Sequence, residues 1–157
     1  MTDHATVGDR VPSIEARLHG ALLGVMNVMR EHLERVAAEH ALSPQQAVSL
    51  FRLGTEEALS MRELAGELHC DPSNVTGIAD RLEERGLVSR HHREGDRRVK
   101  LLALTDDGRR LRADLADEVN RGVPGLSALA PSDQQELLRI LLTVLDAAGA
   151  APMHSGD

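Results

Sequence analysis

A mainly α-helical fold with one small β-hairpin is predicted by three features of this 157-residue sequence. The apolar residues are chiefly Leu, Val, Ala and Met, with Phe51 the single aromatic; strand-rich folds favour β-branched and aromatic side chains instead. Most of the chain shows apolar residues at helical spacing, punctuated by Ser, Thr and Asp caps. One central segment breaks that period and reads as two short strands around a glycine-containing loop. The length suits one domain or two small lobes, and 41% hydrophobic residues suffice for a packed core.

The elements follow in order. Residues 1–10 are polar and without period, and read as a loose arm. A long helix is predicted from Pro12, at the first helical position, to Glu39. Ile14, Leu18, Leu22, Val25 and Met29 form one apolar stripe along it. Ser43-Pro44-Gln45-Gln46 is a capping box with proline in the first turn, and its helix runs to Leu53 and stops at Gly54. Ser60-Met61-Arg62-Glu63 is a second capping box. Met61, Leu64, Ala65 and Leu68 then repeat at i, i+3, i+4 and i+7. Asp71-Pro72 caps and starts a further helix, in which Val75, Ile78, Ala79 and Leu82 repeat the same spacing. Gly86 is placed just beyond its C-cap.

Only His69, Cys70 and Asp71 separate these last two helices, which is the helix-turn-helix arrangement. With Val75, Ile78, Ala79 and Leu82 inward, the opposite face carries Ser73, Asn74, Thr76, Gly77, Asp80 and Arg81. Small polar groups there can approach base edges, and a helix N-terminus favours phosphate. Strands are then predicted at Leu87–His92 and Arg98–Leu104, joined by the loop Arg93–Arg97. Arg90, Arg93, Arg97, Arg98 and Lys100 crowd this hairpin. Such a basic wing can lie along the DNA backbone or place an arginine in the minor groove.

Thr105-Asp106-Asp107 caps the next helix, with Leu111, Leu115 and Val119 as its stripe. Gly122, Pro124 and Gly125 end or interrupt it. The last helix, Pro131–Ala148, is apolar nearly all round through Leu137, Leu138, Ile140, Leu141, Leu142, Val144 and Leu145. Such a helix requires cover on most sides. One small lobe offers too little, so the terminal helices are expected to pack with those of a second copy.

The net charge of −7 hides a reversal. Arg81–Arg112 holds 10 Lys/Arg and 6 Asp/Glu, whereas the other 125 residues hold 8 basic and 19 acidic ones. A basic segment on an acidic body is a local footprint for a polyanion; read blandly, it is a solvated mixed-charge face. No apolar run reaches the 18 or so residues of a membrane span, and a cytoplasmic protein without membrane partners is expected. A single cysteine excludes an internal disulfide framework. His91 and His92 are strand neighbours on opposite faces, and no H-x-x-x-H or C-x-x-C spacing occurs, so neither metal nor cofactor is expected. The nucleophile-elbow, P-loop, zinc-protease and dinucleotide motifs are all missing, so the chain is not read as an enzyme.

Met61-Arg62-Glu63-Leu64-Ala65, Asp71-Pro72-Ser73-Asn74-Val75-Thr76, Asp80 to Val88, Asp96-Arg97-Arg98, and Leu104-Thr105 with Gly108 together resemble the MarR family of bacterial transcriptional regulators. The resemblance covers residues 43–112. It implies a winged helix-turn-helix lobe (43–104) between an N-terminal dimerisation helix (11–42) and C-terminal dimerisation helices (105–150), followed by a flexible tail (151–157). It further implies a homodimer on pseudo-palindromic double-stranded DNA, as a repressor relieved by a small ligand or by oxidation. Ser60, Arg62 and Pro72 join the helix and wing residues above as the expected DNA-binding set. By the same resemblance Asp80 pairs with a wing arginine, most simply Arg98, leaving Arg97 for the minor groove. At Gly77 many family members carry Arg or Lys, so operator preference does not transfer there.

The family's effector pocket lies between the dimerisation helices and the winged lobe. Arg17 and His19 on the first helix, near Met26 and His32, are candidates for a small anionic or phenolic effector; the plainer reading is a solvated or interface polar residue. Family peroxide sensors usually carry their cysteine in the first helix, whereas Cys70 lies in the helix-turn-helix turn and reads first as a buried structural residue. Two alternatives stand beside the repressor: a redox-switched version acting through Cys70, and a winged-helix module that binds protein and not DNA.

Overall fold

The computed structural model describes residues 12–54, 58–93 and 96–150, with the side chains of residues 93–99 outside that description. The expected arm at 1–10 and tail at 151–157 lie outside it as well. The elements are α1 (Ile14–Glu39), α2 (Pro44–Arg52), β1 (Leu59–Ser60), α3 (Met61–Glu67), α4 (Pro72–Glu84), β2 (Val88–Arg93), β3 (Asp96–Leu104), α5 (Asp106–Arg121) and α6 (Pro131–Ala147), with a 3-10 turn at Leu126–Ala128. Mostly helical with a three-stranded antiparallel sheet, the fold is the predicted one.

Three boundaries differ from the sequence reading. α1 begins two residues after Pro12, because Ser13 supplies the cap and its hydroxyl accepts from the Ala16 N–H at 3.2 Å. The hairpin ladder extends to an Arg93–Asp96 pair, beyond the expected strand ends at His92 and Arg98. β1 was not foreseen. It is two residues long, too short for any alternation, and exists by pairing Leu59 with Leu102 and Ser60 with Leu101. The sheet order is β1-β3-β2.

Both capping boxes form. Ser43 accepts from the Gln46 N–H while the Gln46 side chain accepts from the Ser43 N–H, and Ser60 and Glu63 do the same. α1, α3 and α4 end in one way, and α6 ends likewise at Gly149 (φ 65°), with the Ala150 N–H on Leu145 O (2.9 Å). The residue after the C-cap turns left-handed, at Ala41 (φ 54°), His69 (φ 49°) and Gly86 (φ 69°). The next N–H then reaches back to the helix: Leu42 to Ala37 O (2.9 Å), Cys70 to Ala65 O (3.1 Å) and Leu87 to Leu82 O (2.9 Å). These closures satisfy carbonyls that a helix end leaves orphaned. Gly86 carries a stop signal in the sequence, whereas Ala41 and His69 carry none.

The core gathers Val36 and Ala37 of α1, Ala47 and Leu50 of α2, Leu64 of α3, Val75, Ala79 and Leu82 of α4, Leu102 and Leu104 of β3 and Leu115 of α5. The start of α5 sits directly on the end of α4. Leu87 O accepts from the Thr105 N–H (3.1 Å), and the Thr105 hydroxyl donates to Gly86 O (2.6 Å). A Cβ at Gly108 would collide with Leu87 O. Two buried polar groups stand out on the α1–α5 side. His32, 5% exposed, donates from Nε2 to Val119 O (3.0 Å), and its Nδ1 accepts from Arg35 (3.0 Å). The Arg112 side chain is buried with its Nε unpartnered.

The outer half of α1 and all of α6 stand clear of this core. Ile14, Leu18, Leu22, Val25 and Met26 on α1, and Leu138, Ile140, Leu142 and Val144 on α6, are exposed, and no residue of α6 is buried.

Gly108→Ala is expected to lower stability by about 1–3 kcal/mol, because backbone and not a flexible side chain blocks the added methyl. Chemical denaturation measures this, and unchanged stability would show that α5 docks less tightly.

Candidate nucleic-acid interface

The face of α4 is divided as its spacing predicts. Val75, Ala79 and Leu82 are each 0% exposed, and Ile78 is half-buried. Pro72, Ser73, Asn74, Thr76, Gly77, Asp80 and Arg81 are exposed. Thr76 donates its hydroxyl hydrogen to Pro72 O (3.3 Å), which leaves the oxygen's lone pairs free to accept. Asp71 occupies the N-cap position but makes no side-chain cap hydrogen bond. The first turn of α4 therefore lacks the internal carboxylate cap that the sequence predicted.

Two shallow clefts flank this face. One, about 360 Å³, is bounded by Gln45, Cys70, Asn74, Gly77, Ile78 and Arg81. The other, about 460 Å³, runs along Arg62, Gly66, His69, Asp71 and Pro72 and also touches Cys70. Cys70 is half-buried rather than sealed, and packs on the core between the clefts. Arg62 is exposed beside the start of α4. Ser60 stands at the α3 N-cap, where its hydroxyl already accepts from the Glu63 N–H.

Arg90 departs from expectation. Grouped in sequence with the basic tip, it instead turns back to α4, donating to Asp80 Oδ1 (2.5 Å) and Glu83 Oε2 (2.6 Å). The strand register explains why. Val88 lies opposite Leu104 and Arg90 opposite Leu102, and Val88, Leu102 and Leu104 are all buried. Residues two apart share a face of a strand, so Arg90 faces inward and needs counter-charges. The Asp80 hydrogen bond, ahead of the charge of Glu83, holds the guanidinium above its already high ordinary range against the opposing cost of burial. Among the described side chains, then, the wing arginine that meets Asp80 is Arg90. The expected partner Arg98, with Arg93 and Arg97, belongs to the side chains outside the description. Lys100 is exposed on β3 opposite His92.

Arg17 and His19 are exposed on the free half of α1 and line none of the described clefts. A third cleft, about 440 Å³, opens between α1 and α5 at Arg35, Val36, Glu39, Glu118, Arg121 and Gly122. The sequence reading missed it because its walls are ordinary surface charges, brought together only by the α1–α5 contact. It also missed Arg85, whose guanidinium reaches from the end of α4 to the end of α1.

A recognition helix with a sealed inner face, a polar outer face and a β-wing braced against it defines a winged helix-turn-helix protein. The family model for MarR matches residues 42–100. The organic hydroperoxide resistance transcriptional regulator of Bacillus subtilis is 31% identical over 101 residues, covering 64% of this chain and 68% of that protein. Among solved structures, CouR of Rhodococcus jostii RHA1 bound to p-coumaroyl-CoA is 27% identical, with a TM-score of 0.66 over 85% of this chain and 95% of that one. A MarR family protein from Bacillus stearothermophilus superposes with a TM-score of 0.76 over 86% and 95% of the two chains, at 22% identity. The chain belongs to the MarR family. It is a DNA-binding transcriptional regulator, in keeping with its non-enzymatic relatives. Among the described residues no helix is long and apolar enough to cross a membrane.

Gly77 has open space where a Cβ would stand, so nothing within the protomer requires glycine there. Gly77→Ala is expected to raise stability by about 0.5–1 kcal/mol through helix propensity. Thermal denaturation reads this, and a loss of stability would mean that the position is packed.

Proposed function

We propose that the protein is a homodimeric, ligand-responsive repressor of a pseudo-palindromic operator. The observation that carries the reading is the two-sidedness of α4, with Val75, Ala79 and Leu82 sealed and Asn74, Thr76 and Arg81 outward. Two such helices enter successive major grooves about 34 Å apart, with the wings on the flanking backbone. Ser73, Asn74, Thr76 and Gly77 approach the bases. Arg62, Arg81, Lys100 and the wing arginines Arg93, Arg97 and Arg98 meet phosphate or the minor groove, and Arg90 acts through Asp80 and Glu83. The second copy covers the apolar faces of α1 and α6, surfaces too extensive for an ordinary monomer to expose.

The effector is read as a small anionic or phenolic molecule. The support is family-level: CouR, one of the structural neighbours, is seen bound to p-coumaroyl-CoA. Arg17 and His19 reach a ligand only if the partner's helices close a pocket around the free half of α1. A redox-switched version through Cys70 has one observation in its favour, the half-exposed position of that thiol under the recognition helix. Peroxide treatment that releases wild type but not Cys70→Ser from DNA would select it. A protein-binding module without DNA affinity is separated from both by a mobility shift on the DNA upstream of the protein's own gene.

Sedimentation is expected to give twice the 17.0 kDa of one chain. Asn74→Ala is expected to cost about 1–3 kcal/mol on the operator and little on random duplex. Arg97→Ala weakens both alike and lowers the salt slope by about 1. Equal losses on both DNAs for Asn74→Ala, or a monomer, would count against the reading.

A further inference from the structure

Three helices meet at the turn His40–Ala41. α1 ends there with Ala41 left-handed at φ 54°, a conformation disfavoured for a residue bearing a Cβ. The carbonyls left open by the end of α1 accept from Arg85, the C-cap of α4: Nη2 donates to His40 O (3.0 Å) and Nη1 to Ala41 O (2.8 Å). A guanidinium holds two donors in a rigid planar fork, whereas an ammonium is a point charge on a flexible stem, and a cation suits the negative end of a helix. The His40 ring faces α5, with Nε2 3.0 Å from Glu118 Oε2. One residue beyond Arg85, Gly86 O accepts from the Thr105 hydroxyl at the start of α5 (2.6 Å). The end of the recognition helix is thus tied to α1 by Arg85 and to α5 by Gly86.

We propose that Arg85 is a positioning residue for DNA recognition: its grip on the His40 and Ala41 carbonyls fixes the angle of α4 against α1 and α5, and so sets the half-site spacing that the dimer accepts. The inference rests on the dimeric DNA-binding reading above. Leverage makes the angle matter. α4 has 13 residues, about 20 Å of helix, with Arg85 beyond one end and Ser73 and Asn74 at the other. A tilt of about 10° at the Arg85 end moves that tip by about 3.5 Å, close to the rise of one base pair. β2, α2 and α3 also pack on α4, and α2 packs in turn on α1 and α5; those contacts are apolar and less directional than a two-pronged hydrogen bond. The Arg85 fork and the Gly86–Thr105 bond add directed hydrogen bonds from the end of α4 to the end of α1 and the start of α5.

The test is selection from a random-sequence duplex library by the full chain, wild type against Arg85→Lys, with half-site sequence and spacing read by sequencing. Lysine keeps the charge and loses the fork. Wild type is expected to enrich one spacing. Arg85→Lys is expected to enrich the same half-site sequence at that spacing and at spacings about one base pair to either side. An unchanged single spacing overturns the inference. So does a changed half-site sequence, which would make Arg85 a base contact, and so does unfolding of both Arg85→Lys and Arg85→Gln by circular dichroism, which would make its role purely structural. Wild type that enriches no sequence defeats the DNA-binding reading instead.

Discussion

The burial of one face of α4 is the constraint on which the rest depends. Val75, Ala79 and Leu82 are fully enclosed by the lobe, and burial of Val75 and of Leu82 contributes roughly 1.5–3 kcal/mol each relative to exposure. Because they recur at i, i+4 and i+7, their enclosure leaves the helix no rotational freedom. Asn74, Thr76 and Arg81 must then face outward. What α4 offers to a duplex is a by-product of where three apolar residues are sealed.

The ion pairs refine that placement and add little to the energy. Arg90 joins the wing to Asp80 and Glu83, but both carboxylates are partly solvated, and pairs of that kind contribute about 0–1 kcal/mol each. Their value is directional, since they hold β2 at one orientation to α4. The same holds for the left-handed helix ends at Ala41, His69 and Gly86. Each closes a helix within two residues and leaves a sharp corner. Three sharp corners keep the lobe small enough for α5 to sit on the end of α4.

Features with local signals were legible in the sequence. The capping boxes at Ser43 and Ser60, the glycine after α4 and the two-sided spacing of α4 all stand in the fold as read. What was not legible depends on contacts distant in sequence. β1 exists only through β3. The turn of Arg90 toward α4 follows from its register against Leu102; the alternation of Val88 and Arg90 carried that information, but the local density of arginines outweighed it. His32, buried between Val119 and Arg35, and Arg85, gripping the end of α1, have partners 87 and 44 or 45 residues away, beyond the reach of any periodicity. The apolar faces of α1 and α6 were legible as surfaces needing cover, and they stay uncovered in one chain.

The account is tested most directly by following the backbone amides of the labelled full chain by NMR during titration with duplex DNA from upstream of its own gene. It predicts the largest shifts at Ser73, Asn74, Thr76, Gly77 and Arg81 and along the β2–β3 wing, with Leu18, Leu22, Ile140 and Val144 little affected. Shifts centred on α1 and α6, with α4 unmoved, would contradict it.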